Sequence, residues 1–234
     1  MDFSVFATGR YAKPRTPNAH TLRFDFRRNG GYRLAILLIV RVCLFFLLMF
    51  LVSADVEARP ALVIIDPGHG GYDRGGGPGQ ILPEKPFTLD TGKRLARILK
   101  ADGIKVVLTR SDDYYVSLGQ RTSISNAYAG YNAVFVSIHF NSGRRLGAYG
   151  IETYYNNSRA YRLATLIHPR VIQALGSTNR GIRHRGFFVL RRNRLPAVLV
   201  ECGFLTSPRE AALIVTPGAR ENLAKAIAAG IERY

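Results

Sequence analysis

Apolar and polar positions divide the chain into three regimes. Residues 1–33 show no apolar period and carry Arg10, Lys13, Arg15, Arg23, Arg27, Arg28 and Arg33 against Asp2 and Asp25, the pattern of a basic disordered segment. Leu34 to Val52 is an apolar stretch interrupted only by Arg41. From position 61 onward, short runs rich in β-branched residues alternate with stretches of helical period. "ALVIID" (61–66), "IKVVLTR" (104–110), "AVFVSIH" (133–139), "IETYYN" (151–156), "FFVLR" (187–191) and "AVLVE" (197–201) read as six strands. Helices are expected over 87–101, 117–129, 158–174 and 219–233, the first with Leu89, Gly92, Leu95, Ala96 and Leu99 on one face. Continuous apolar strands between amphipathic helices describe an α/β domain over 59–234, its sheet covered on both faces. No internal repeat or linker interrupts it.

The apolar stretch before this domain points to export. A spanning helix needs about 20 apolar residues, and a signal-peptide core about 7 to 15. "VCLFFLLMFLV" followed by "SADVEA" fits the shorter core, with cleavage at Ala54 or Ala58; translation starting near Val40 would leave Arg41 as a short basic lead. The alternative is an uncleaved membrane anchor through residues 34–52 with a basic cytoplasmic tail, oriented the same way by the positive-inside rule. Segment 34–58 is thus a signal peptide or membrane anchor, and the domain is expected to be periplasmic or extracellular in either case. Arg27-Arg28 is a weak hint of twin-arginine export.

Charge narrows the partner. The chain carries a formal net charge of +17, and from position 55 onward 25 basic residues still face 14 acidic ones. A basic exported domain suits an anionic polymer or lipid surface. Arginines dispersed in loops such as "GRRLG" and "LRRNR", not interleaved with aromatics on one face, argue against nucleic acid. The two cysteines are Cys43, in the apolar stretch, and Cys202, so the domain has no internal disulfide pair.

Three strand ends carry candidate chemistry. His69 follows the first strand, His139 closes the third and Glu201 closes "AVLVE". Ligands of open α/β sheets bind beyond the carboxyl ends of strands, so parallel strands would bring these residues to one rim. Glu84, at the end of the glycine-rich loop 67–83, is placed to swing back toward His69. Two histidines and one carboxylate with a free fourth position form the ligand set of a catalytic zinc site. A second, unligated carboxylate then moves protons. Glu201 fits that role, and spacing equally allows Glu84 and Glu201 to exchange places.

"VIIDPGHGG", "PEK", "LTR", "LGQRTSISN", "VSIHFNS", "GIETYY", "NRGIRHRGFFVLR" and "PAVLVECGFLTSPRE" together resemble the successive motifs of the zinc-dependent N-acetylmuramoyl-L-alanine amidases, type 3, from about Leu62 to the C-terminus. The resemblance implies a single α/β domain with a mixed, mostly parallel β-sheet of about six strands flanked by helices on both faces. It implies hydrolysis of the amide between N-acetylmuramic acid and the L-alanine of the peptidoglycan stem. The chain is expected to act on peptidoglycan as a monomer. It assigns His69, Glu84 and His139 as Zn2+ ligands and Glu201 as the catalytic carboxylate. The rival readings are a zinc peptidase acting on the stem peptide and a non-catalytic cell-wall-binding protein. Phe140 and Ser142 stand where the family usually has small residues, and no long acidic insertion between Asn141 and Val200 suggests an occluded site.

The remaining polar residues have plainer readings. His168 is expected to be structural and Cys202 a small buried hydrophobe. Asp66 either orients a ligand histidine or caps the loop. His184 is expected near the rim, solvent-exposed or touching substrate. Arg180, Arg183 and Arg185 are solvated charges unless they pair with stem-peptide carboxylates.

Overall fold

The computed structural model describes residues 36–44, 59–77, 80–143 and 147–234. The chain divides into two units, 1–56 and 57–234. In the first, 36–44 is helical. The disordered segment expected over 1–33 lies outside the described residues, as does most of the signal peptide or anchor expected over 34–58. No helix among the described residues is long and apolar enough to cross a membrane.

The second unit is built from β1 (Leu62–Pro67), α1 (Lys85–Ala101), β2 (Lys105–Leu108), α2 (Leu118–Asn126), β3 (Ala133–Asn141), β4 (Ile151–Tyr155), α3 (Ser158–Leu175), β5 (Asn179–His184), α4 (Phe188–Arg191), β6 (Ala197–Phe204), α5 (Pro208–Ile214) and α6 (Pro217–Ile231). The strands form one sheet in the order β2-β1-β3-β6-β4-β5. β1 runs parallel to β2 and β3, and β3 parallel to β6. β4 is antiparallel to β6 and parallel to β5, so the sheet is mixed and mostly parallel, as expected.

Side chains alternate between the two faces of each strand. Val63, Ile65, Val134, Val136, Val198 and Val200 pack with apolar residues of α1, α3 and α6 into the larger core. Leu62, Ile64, Phe135, Tyr154 and Leu199 face the other way and pack on Val189 and Leu190 of α4. On that second face the same strands end in polar residues: Asp66 in β1, Ser137 and His139 in β3, and Glu201 in β6. The apolar layer gives way there to a cleft.

One expectation needs correction. "FFVLR" is not a strand. Phe188–Arg191 makes one helical turn, whose Val189 and Leu190 are buried against the second face. The strand in that region is β5, "NRGIRH", which pairs with β4 alone and is mostly exposed. An edge strand bathed in solvent needs no apolar alternation, so the hydrophobic pattern did not mark it. Helix α5 also carried no clear period; it starts at Pro208, capped by the Ser207 hydroxyl.

Candidate active site

β1, β3 and β6 are parallel, and their ends meet as expected. His139 and Glu201 are direct register partners on β3 and β6. His69 stands just past β1 with φ at 61°, the only non-glycine among the described residues with a positive value. That conformation costs about 1–3 kcal/mol and persists only where the surroundings impose it.

Two buried arginines impose it. Arg121 of α2 donates through Nη2 to the His69 carbonyl at 2.7 Å and through Nη1 to the Pro67 carbonyl at 2.7 Å. Arg110, past β2, donates through Nη2 to the Gly68 carbonyl at 2.9 Å and through Nε to the Pro67 carbonyl at 3.0 Å. Burial pushes the Arg110 guanidinium below its usual pKa, and the charge on Arg121 adds to the effect. Asp66 offsets this charge: its Oδ1 accepts from Arg121 Nη1 at 2.7 Å and from the Thr109 hydroxyl, its Oδ2 from the Ser137 hydroxyl. Asp66 therefore anchors the clamp beneath the loop and does not touch an imidazole. The histidine is oriented instead by Asp73, whose Oδ2 accepts from His69 Nδ1 at 2.9 Å. Sequence reasoning missed Asp73, Arg110 and Arg121; the i, i+4 spacing from His69 was the available signal for the first.

Glu84, immediately before α1, lies between the two imidazoles. Its Oε2 is 3.0 Å from His69 Nε2, and its Oε1 is 2.8 Å from His139 Nδ1 and accepts from the Phe140 amide at 2.9 Å. One ligand atom from each of His69, Glu84 and His139 lies within 4.8 Å of the others. Glycines permit this approach. A Cβ on Gly68 would collide with the His139 ring, and one on Gly75 would fall 2.6 Å from His69 Cδ2 and 2.5 Å from Glu84 Cβ.

Charge couples these groups closely. Burial alone would raise the Glu84 pKa, but His139 and His69 outweigh it and hold the group down to about 2. Burial alone would lower His139, but the Glu84 carboxylate prevails and lifts it to about 9. Glu201 is different: burial raises it, His139 opposes, Glu84 and Glu152 add, and the result is about 8. Its Oε2 is buried with no hydrogen-bond partner. The donor set and this orphaned oxygen fit a divalent cation with a proton-carrying carboxylate beside it.

These groups line a cleft of about 480 Å3, with Tyr115, Phe140, Asn141 and Phe187 among its walls. The His69 and His139 side chains keep 22% and 19% of their surface, so the donors are reachable. Among the described residues, β4, α3, β5 and α4 fill the interval between β3 and β6. His168 bridges Thr153 and Asn179 inside the fold, and Cys202 is buried, its thiol pushed far up by burial, both as expected. His184 is not at the rim. It pairs with Tyr155, which pairs with Val198, three residues before Glu201 on β6.

A family model described as N-acetylmuramoyl-L-alanine amidase matches residues 63–233. A probable cell wall amidase, LytH, of Staphylococcus epidermidis is 34% identical over 175 residues, which cover 74% of this chain and 57% of that protein. The chain thus spans little more than half the length of that relative. The catalytic domain of CwlV, an N-acetylmuramoyl-L-alanine amidase from Bacillus (Paenibacillus) polymyxa var. colistinus, superimposes with a TM-score of 0.68 at 40% identity, covering 73% of this chain and 95% of that one. The N-acetylmuramoyl-L-alanine amidase AmiC2 of Nostoc punctiforme gives 0.68 at 40% identity, covering 75% and 97%.

Proposed function

Since the chain belongs to the N-acetylmuramoyl-L-alanine amidase family, we propose that its domain over 59–234 hydrolyses the amide between N-acetylmuramic acid and the L-alanine of the peptidoglycan stem. The observation that carries this reading is the convergence of His69, Glu84 and His139 within 4.8 Å beside the buried, unpartnered oxygen of Glu201.

His69, Glu84 and His139 would hold a divalent cation, which we infer to be Zn2+. Such an ion supplies Lewis-acid polarisation of a carbonyl and makes a water more acidic. The chain's own groups do the rest. Asp73 keeps the Nδ1 proton of His69 and leaves Nε2 turned toward Glu84. Glu201 removes a proton from the water that attacks the lactyl carbonyl. It then delivers that proton to the alanine nitrogen as the C–N bond breaks, leaving a lactyl carboxylate and a free amine. Burial holds this carboxyl above the ordinary carboxylate range, which suits a group that accepts a proton and then releases it.

The domain acts outside the cytoplasm as a monomer, with segment 34–58 serving as signal peptide or anchor. The apolar stretch from Leu34 to Val52 and the basic character of the domain support this placement next to an anionic wall. Metal analysis of the full chain, with mass spectrometry of products from muramyl peptides, tests the reading. One equivalent of zinc with lactyl-ended sugar and intact peptide is expected. Cleavage within the peptide would overturn it in favour of a peptidase, and a folded protein without metal or cleavage would leave only wall binding.

A further inference from the structure

Beyond Glu201, the sheet carries charges that hydrolysis does not use. Glu152 of β4 is buried and is the cross-strand partner of Glu201. Its Oε1 accepts from Arg180 Nε at 3.2 Å and Arg183 Nη1 at 3.3 Å. Its Oε2 accepts from Asn141 Nδ2 and from the Tyr154 hydroxyl, both at 2.8 Å. Both oxygens are satisfied, and one carboxylate faces two guanidiniums, so one positive charge is in surplus.

The two arginines are held but not covered. Arg183 Nη2 donates to the Arg180 carbonyl at 2.9 Å, and the Arg180 guanidinium lies 5.0 Å from the centre of the Phe204 ring. Their side chains nonetheless keep 38% and 45% of their surface. Guanidinium donors fixed at one edge and open at the other form a fork for a carboxylate.

We propose that Arg180 and Arg183, anchored on Glu152, bind a carboxylate in the peptide half of the substrate. This rests on the amidase reading, which also sets the direction. Glu201 must reach the alanine nitrogen, so the peptide leaves on the Glu201 side of the imidazoles, and the next strand on that side is β4. Neighbouring strands are ~4.8 Å apart and an extended residue spans up to ~3.6 Å. Guanidiniums drawn onto Glu152 are therefore in reach of the residue following the alanine.

Kinetics of the full chain on two muramoyl dipeptides tests this, one with a free α-carboxylate on its second residue and one with the corresponding amide. Wild type is expected to favour the acid by about tenfold in kcat/KM, carried by KM. Arg180→Gln with Arg183→Gln collapses that ratio toward one. Because these changes strand Glu152, the same pair combined with Glu152→Gln removes acid and bases together and should collapse it equally. Equal cleavage of acid and amide by wild type, or a ratio that survives in either variant, overturns the subsite alone. Cleavage of neither substrate by the zinc-loaded protein overturns the amidase reading and the subsite with it.

Discussion

His139 and Glu201 sit side by side on adjacent parallel strands, on the same face of the sheet. The pairing extends one strand further to Glu152. An imidazole, a buried carboxyl group and a carboxylate paired with two arginines thus stand in one row across β3, β6 and β4. Rigid strands fix their spacing. Each group also perturbs its neighbours: His139 works against the rise of Glu201, and Glu152 contributes to it.

Glu201→Gln keeps the shape of that row but removes the proton carrier. Zinc content should stay at one equivalent, because Glu201 is not among the three clustered donors. Turnover should fall by about 10²- to 10⁴-fold, the usual contribution of a positioned acid-base group. Metal analysis beside kcat separates the two effects, and near-full turnover would remove Glu201 from the role.

Asp73→Ala tests the support of the metal site. The carboxylate accepts from His69 Nδ1 and, through Oδ1, from the Gly75 amide. Losing both frees the imidazole to rotate and loosens the loop beside Glu84. Zinc affinity should drop about 10- to 100-fold, as for other partners of metal-ligating histidines. Competition with a chelator reads this directly, and unchanged affinity would reassign Asp73 to a purely local turn.

His69, His139 and Glu201 were legible because each polar residue ends an apolar, β-branched run, where the strand period dictates which face it joins. Glu84 was legible from its place between a glycine loop and a helix. Nothing in the local pattern marked Arg110, Arg121 or Glu152. Their partners lie far along the chain, as in Arg121 with Asp66, and α2 turns a polar face inward with Arg121, Thr122 and Ser125. Where a helix buries charge, hydrophobic periodicity is silent. The same blindness exchanged β5 for "FFVLR": the exposed edge strand is polar, and the apolar run is one helical turn.

Arg121→Met should be the most damaging single change away from the donors. It leaves Asp66 buried without its ion pair, releases the His69 carbonyl and leaves the Pro67 carbonyl to Arg110 alone. Breaking a buried pair by removing one partner costs about 3–5 kcal/mol. Chemical denaturation should show a loss of that size. Zinc affinity should fall as well, because the left-handed backbone of His69 loses its clamp. A loss below ~1 kcal/mol, within the range of exposed pairs, would contradict the clamp.

Removing the metal should give the protein an unusual pH profile. In the metal-free protein, His139 is raised from 6.5 to about 9 and Glu201 from 4.5 to about 8. Both bind protons more tightly folded than unfolded, so their contributions are full below the unfolded values and are lost as pH rises through 8 and 9. Glu84, lowered from 4.5 to about 2, acts oppositely: its contribution is present above 4.5 and lost as pH falls toward 2. From these three groups, stability of the chelator-treated protein should peak near pH 5 and decline steadily to pH 9. Zinc should reverse the alkaline limb, because it needs the imidazole nitrogens that protons occupy at low pH. The stabilisation on adding zinc should therefore be larger at pH 8 than at pH 5. Denaturation midpoints with and without zinc at these two pH values decide it, and equal stabilisation at both would mean that His139 does not exchange its proton for the metal.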